Sequence, residues 1–263
     1  MKKEDFGDIL KKEQLEFKSQ NDLENYYNSK YDHGGYKGGY KLFGVNISRI
    51  YHKNRQKISL ELLNPKKDEI ILDAGCGNGE LTKKIAKSSL KVYGVDISKT
   101  AIFNAKKRAP KNCIFKYGDL EELNFPDKSF DKIVCVETIE HVLHPNKVIK
   151  EFKRILKNNG KLVLCFPTIN TNLINKLELS LGFRKFFSIS EHLNEWNYSG
   201  FKKLVENNGF RFINSKGVVF SLGRLEDLKK INKSSMYSVL KFQLSLNSFP
   251  SNSNWAVILF EKK

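Results

Sequence analysis

The sequence predicts an α/β fold: a parallel sheet with helices wound on both faces. Three observations carry this. Short apolar runs alternate with helix-period segments from about residue 69 to 166, the pattern of successive strand–helix units. The first of these strands, IILDA, runs straight into a turn with glycine at every second position, Gly75, Gly77 and Gly79. The second, KVYGVD, ends on an acid, Asp96. In sheets of this kind ligands sit outside the carboxyl ends of the strands, and both the glycine turn and Asp96 fall at that edge.

The elements follow in order. In the charged segment 1–30, Phe6, Ile9, Leu10 and Leu15 have loosely helical spacing and predict a short peripheral helix. The stretch YDHGGYKGGYKLFG, residues 31–44, is too rich in glycine for a regular helix and reads either as a surface loop or as a lid bearing tyrosines. Residues 47–62 return to helical spacing, which Pro65 ends. Strands are expected at 69–73, 91–96, 112–117, 130–137 and 161–166, with helices at 80–88, 99–108 and from Pro145 to 157 between them. His144 reads as the start of that last helix. After Pro167 the rhythm breaks: residues 168–196 are too long for a simple connection, so they mark an insertion with a use of its own. A helix at 198–208 capped by Gly209, a strand at 210–220 and a last strand at 255–260, WAVILF, complete the chain.

Composition narrows the class. The 263 residues suit one sizeable core with appendages. No run approaches the roughly 20 apolar residues a membrane helix needs, and MKKEDFGDILKKEQ lacks the apolar centre of a signal peptide. A cytoplasmic protein is expected. Cys76, Cys113, Cys135 and Cys165 form no CxxC pair and fall in or beside strands, as buried reduced thiols do; neither disulfide nor zinc is expected. The net charge of +17 comes from lysines scattered along the chain without a block of five, the pattern of a solvated surface, yet it leaves room for an anionic substrate.

The turn DAGCGNG is spaced G-x-G-x-G, one residue tighter than the dinucleotide fingerprint. Glycines so placed let main-chain N–H groups approach a ligand. An acid at the end of the second strand can accept both hydroxyls of a ribose. Together these two elements resemble the first motifs of the class I S-adenosylmethionine-dependent methyltransferases. The resemblance continues through YGDLEELNFPDKSFDKIVCVETIEHV and LKNNGKLVLCFP and covers roughly residues 60–210. It implies a Rossmann-like doubly wound sheet of seven strands, the last antiparallel between the fifth and sixth. It also implies an N-terminal helical extension and lid over 1–64, and a catalytic domain over 65–263 with an acceptor-side insertion at about 168–196. S-adenosylmethionine is the implied methyl donor. Asp73 and Gly75, Cys76, Gly77 and Gly79 would hold its methionine part, Asp96 its ribose, Ile97 its adenine ring, and Asp119 the adenine amino group with Leu120 beside it. Glu137, at the end of the fourth strand, would border the donor as well.

VETIEHV sets Glu137, Glu140 and His141 at i, i+3 and i+4, so a helical turn there would project all three to one side. Two carboxylates and an imidazole suit Mg²⁺. The run is similar to that of the ubiquinone-biosynthesis O-methyltransferases and the small-RNA 3′-terminal 2′-O-methyltransferases, where it holds a metal, and His192 would be the fourth ligand. Metal-free relatives also carry Glu-His here, so Glu140 and His141 orienting the turn, or His141 alone as general base, stay equal readings. Either chemistry favours O-methylation of a hydroxylated small molecule, sugar or lipid-linked intermediate. An RNA 2′-O-methyltransferase and a non-catalytic protein retaining the fold are the alternatives.

Overall fold

The computed structural model describes residues 17, 19–32, 41, 42, 45–169, 192–218, 234, 235, 238 and 250–263. Phe6, Ile9, Leu10 and Leu15, most of the glycine-rich stretch and most of the 168–196 insertion lie outside the described residues. Helix α1 (Gln20–Asp32) precedes a two-stranded ribbon, β1 (Lys41–Leu42) and β2 (Val45–Asn46), and helix α2 (Ile47–Leu63). Then come β3 (Ile70–Ala74), α3 (Glu80–Ile85), β4 (Lys91–Asp96), α4 (Lys99–Lys106), β5 (Cys113–Tyr117) and β6 (Phe130–Val136). The chain closes with α5 (Pro145–Ile155), β7 (Leu156–Pro167), α6 (Tyr198–Asn207), β8 (Phe210–Val218) and β9 (Trp255–Lys262).

The main sheet has seven strands in the order β5-β4-β3-β6-β7-β9-β8. β3 to β7 run parallel, and β9 pairs antiparallel with both β7 and β8, as the resemblance implied. β7 begins earlier than expected, because Leu156 already pairs with Phe130 before the register slips and Lys161 meets Lys132. The intervening 157–160 bulge out, with Asn159 in the left-handed region at φ 60°.

Alternation along the strands divides the core in two. Leu72, Ala74, Ile133, Cys135, Leu162 and Leu164 face one way and pack under Val148, Ile149, Phe152 and Ile155 of α5 and Phe201 and Val205 of α6. Ile71, Val92, Val134, Val163 and Cys165 face the other way and meet Tyr51, Ile58, Leu62 and Leu63 of α2 and Leu81 and Ile85 of α3. Strands buried on both faces read as continuous apolar runs for this reason. The helices start where side chains can cap them: Asn46 accepts from the Arg49 amide (2.9 Å), Ser98 from Ala101 (3.1 Å) and Asn197 from Gly200 (2.7 Å). Pro145 opens α5, and Gly209 turns the chain after α6 at φ 88°. All four cysteines are free; Cys76, Cys135 and Cys165 are buried and Cys113 is half-buried. Among the described residues no helix is long and apolar enough to cross a membrane.

One ionic knot ties α2 to the carboxyl edge. Just past β6, Glu137 turns into the left-handed region at φ 52°. Its carboxylate meets the buried Arg55 guanidinium at 2.7 Å and the His52 ring at 3.3 Å. Arg55 also lies over the Trp255 ring of β9, 4.3 Å from its centroid. The Gln56 amide donates to the far nitrogen of His52 (2.9 Å) and accepts from Lys84 of α3 (2.6 Å), so His52 presents its N–H to Glu137. Burial would push the Glu137 carboxyl up, but Arg55 and His52 outweigh it and hold it at about 2 instead of 4.5. The stabilisation is therefore present above about pH 4.5 and disappears as pH falls toward 2. Glu137→Gln should lower unfolding free energy by about 3 kcal/mol at pH 7, because it removes the charge Arg55 was buried against. Urea unfolding should show that gap narrowing as pH is lowered from 4.5, whereas a midpoint unchanged at pH 7 would leave the knot without energetic weight.

Candidate active site at the carboxyl edge of the sheet

The glycine turn follows β3 and leans on the end of β4. The Gly75 and Cys76 amides both donate to the Val95 carbonyl (2.8 and 3.0 Å), Gly77 donates to one Asp96 carboxylate oxygen (2.8 Å), and Gly79 to the Cys76 carbonyl (2.9 Å). These amides are spent within the protein, which corrects the expectation that they reach out to a ligand. What the glycines give is close approach. Gly75 sits at φ 75°, where a Cβ would collide with Thr138 at the start of the β6 corner. A Cβ on Gly77 would lie 2.5 Å from the Tyr31 hydroxyl, which α1 lays over the turn.

The acids expected at this edge are all near it. Asp96 is buried; its second oxygen accepts from the Ser98 amide (2.9 Å). Burial pushes its carboxyl up and these two amides pull it back. Each oxygen keeps a lone pair that an amide does not use. Asp73, also buried, accepts from the Thr82 hydroxyl (2.6 Å) and is pushed up to about 7, chiefly by burial and further by the Asp96 charge. Asp119 is half-buried and accepts from the Glu121 amide (2.8 Å), the turn-capping bond its sequence context allows. Ile97 is half-buried, whereas Leu120 is buried in the main core beneath the edge. Glu121 takes the amide and ring of His144, the residue before α5.

Helix α1 roofs this region through polar contacts. Asn28 accepts from the Ser98 hydroxyl (3.0 Å), Asp32 from Thr100 (2.9 Å), and Glu24 from the Tyr117 hydroxyl (2.6 Å) and Lys99 (2.8 Å). Leu23 is its one buried residue among those described.

After Glu137 the chain makes a single 3₁₀ turn, Ile139–His141, and not an α-helical one. The common side expected for Glu137, Glu140 and His141 is therefore not formed. Glu137 stays with Arg55 and His52, while Glu140, His141 and His192 gather with their ligand atoms within 4.8 Å of one another. The main chain explains the meeting: the Glu140 carbonyl accepts from both the Leu193 and Asn194 amides (3.0 Å each), and the Asn194 side chain donates to the Val142 carbonyl (2.7 Å). The His141 ring packs edge-on against His192 (5.0 Å) and Tyr27 of α1 (5.9 Å). Glu140 is 1% exposed, and one of its oxygens finds no hydrogen-bond partner among the described residues. Burial first, and then the Glu137 charge, push its carboxyl well above the usual range. With Glu137 elsewhere engaged, the donor set is one carboxylate and two imidazoles, which does not suit Mg²⁺; nitrogen-rich sets of this kind suit transition ions.

Arg55, His52 and Gln56 were not foreseen, though their i, i+3, i+4 spacing beside the apolar stripe of α2 marks a polar patch on an inward-facing helix. Tyr27 and Tyr31, four apart on α1, share one side by the same rule.

The family model for the methyltransferase domain matches residues 72–164, which span the glycine turn, Asp96, Asp119 and the Glu-His turn. The ubiquinone biosynthesis O-methyltransferase of Coxiella burnetii is 32% identical over 162 residues, covering 56% of this chain and 68% of that one. Magnesium protoporphyrin IX methyltransferase (ChlM) of Synechocystis PCC 6803, solved with bound SAH, superposes with a TM-score of 0.61 at 17% identity, over 93% of this chain and 100% of that one. The [4+2]-cyclase SpnF superposes as well, at TM-score 0.62 and 14% identity over 93% of this chain and 97% of that one, so the fold alone does not decide the chemistry. The sequence match does: the chain belongs to the S-adenosylmethionine-dependent methyltransferase family, with S-adenosylmethionine as its methyl donor.

Proposed function

We propose that the protein transfers the donor's methyl group to a hydroxyl oxygen of a small-molecule acceptor. The observation that carries this reading is the buried group of Glu140, His141 and His192 at the end of β6, the strand beside the glycine turn. The O-methyltransferase relative supports the choice of oxygen. The donor would lie along the turn, its ribose hydroxyls on the remaining lone pairs of Asp96 and its adenine between Ile97 and Asp119. Asp73 would fix the turn from beneath, and Leu120 would back the wall from within the core. The donor's carboxylate needs a cation. Arg55, buried and with its Nε lacking a partner among the described residues, would supply one beside Glu137. Helix α1, with Tyr31 over Gly77 and Tyr27 against His141, would be the described part of a lid over both pockets.

Methyl transfer from a sulfonium needs alignment above all. His141 would take the hydroxyl proton on its ring nitrogen as the oxygen attacks the methyl carbon and the carbon–sulfur bond breaks, leaving the neutral thioether. Glu140, 3.9 Å from that ring, would help position it. A transition ion held by Glu140, His141 and His192 would instead polarise the hydroxyl directly. Chelation distinguishes the two: full activity after metal removal assigns His141 the base's role, and recovery on adding Mn²⁺ assigns it a ligand's. A nucleic-acid acceptor is the second reading, favoured by the net charge of +17.

The direct test offers labelled S-adenosylmethionine with hydroxylated aromatic and sugar acceptors on one side and RNA on the other. Incorporation into RNA alone, weakening steeply with salt, would replace the first reading by the second. Two variants probe the halves separately. Asp96→Ala should weaken S-adenosylhomocysteine binding by about tenfold to a hundredfold, the worth of hydrogen bonds to a charged group; unchanged affinity by calorimetry would remove Asp96 from the donor site. His141→Ala should slow transfer by about 10²–10⁴-fold with donor affinity almost unaltered. Equal losses in both would place His141 on the donor side.

A further inference from the structure

The positive charge that donor chemistry leaves unused has an address. At the amino ends of β3, β6 and β7, across the sheet from the glycine turn, Lys66, Lys132, Lys157 and Lys161 line an open basin of about 320 Å³ together with Glu69 and Asp131. The bulge at 157–160 forms one wall. Lys132 makes the floor: it is 9% exposed, and its ammonium donates to the Asn64 carbonyl (2.7 Å) and pairs with Glu69 (2.9 Å). Lys157 pairs with Asp131 (2.6 Å), and Lys161 with Glu261, which Arg211 shares. The Lys66 amide donates to Glu69 (2.7 Å), and its ammonium donates to the Asn64 side chain (3.1 Å) and has no carboxylate partner among the described residues.

An ammonium carries three donors, so each of these lysines keeps at least one N–H that no described hydrogen bond uses. Glu69, Asp131 and Glu261 pair with three of the four ammonium groups and Arg211 shares Glu261, so Lys66 and Arg211 leave the basin positive after its ion pairs are counted. A second group of cations adjoins it. Lys262 donates to the carbonyl of Leu156, the residue before the bulge (2.7 Å), and its ammonium is pushed down by burial and then by Lys128 and Lys153 nearby. The wound fold favours this placement, since the last turn of α5, with Lys153 and Arg154, ends at this edge, where helix dipoles welcome cations. The buried acids Asp73, Asp96 and Glu140, and the half-buried Glu137, stand at the opposite edge.

We propose that this basin binds a phosphate-bearing ligand, with Lys66, Lys132, Lys157 and Lys161 donating to its oxygens. Lysines converging as point charges suit phosphate, whose several acceptor oxygens need no fixed fork geometry. A soluble pyrophosphate group and a phospholipid headgroup offer the same chemistry, and the experiment separates them.

Inorganic pyrophosphate is titrated into the full chain by calorimetry, and flotation is measured with phosphatidylglycerol and phosphatidylcholine vesicles, S-adenosylhomocysteine binding serving as the check on folding. Binding of pyrophosphate identifies a soluble ligand; flotation with phosphatidylglycerol alone identifies a headgroup. In either case Lys66→Gln with Lys157→Gln should weaken binding by about tenfold or more, each lost charged hydrogen bond being worth over 1 kcal/mol. Lys106→Gln with Lys107→Gln removes the same charge at α4, beside β5 and away from the basin, and should leave affinity within about twofold. Failure to bind either probe overturns the proposal, and so does an equal loss in both double variants, which would mean diffuse attraction to a basic surface. Neither pair touches the donor site, so loss of S-adenosylhomocysteine binding in wild type would count against the donor reading alone.

Discussion

The Asp96 carboxylate, holding Gly77 with one oxygen and Ser98 with the other, is the contact on which the active edge depends. Through it the end of β4 fixes both the glycine turn after β3 and the first turn of α4. Those two elements bound the place where the proposed donor site would take a nucleoside. The arrangement also explains why a buried acid is tolerated. Two amides and a capped helix start repay part of the desolvation that pushes its carboxyl up. Glycine is required on the other side of the contact, because Thr138 presses on Gly75 and Tyr31 on Gly77. The turn is thus clasped between β4, the β6 corner and the N-terminal helix.

The β6 corner shows how neighbouring carboxylates come to differ. Glu137 and Glu140 are three residues apart, and each is strongly desolvated. Glu137 meets a guanidinium and an imidazole and is held ionised; Glu140, beside two imidazoles, is held toward its neutral form by burial and by the Glu137 charge. Carboxylates driven apart in this way are a physical mark of a candidate site. The left-handed turn at Glu137 is the device that separates them, sending one side chain toward α2 and the other toward the insertion.

The frame of the fold was legible in the sequence because buried parallel strands are apolar from end to end. KVYGVD occupies the expected 91–96, and every other expected strand is found within a few residues. The extension of β7 to Leu156 was hidden by Lys157, Asn158, Asn159 and Gly160, a polar run that reads as a turn and is a bulge inside the strand. At the site, the residue types were readable and their directions were not. Spacing in VETIEHV suggested one helical side, but direction depends on a local backbone turn that the side chains themselves do not announce. Arg55 and His52 were invisible for another reason: they act across 82 and 85 residues of chain, on a partner that periodicity cannot name.

Charge follows the same geometry as the hydrogen bonding. In a wound α/β sheet the helix amino ends and the strand carboxyl ends share an edge, so buried acids there find amides and helix starts, as Asp96 does with Ser98. The opposite edge collects helix carboxyl ends and strand starts, and Lys132, Lys157 and Lys262 find carbonyls and acids there. A surplus of lysine in such a fold is therefore not neutral in its placement. The proposed donor is cationic at its sulfonium and would meet an acidic edge, while the lysines gathered at the amino edge stand a full strand length away. An anion held there would leave the methyl-transfer edge uncovered and open to its acceptor.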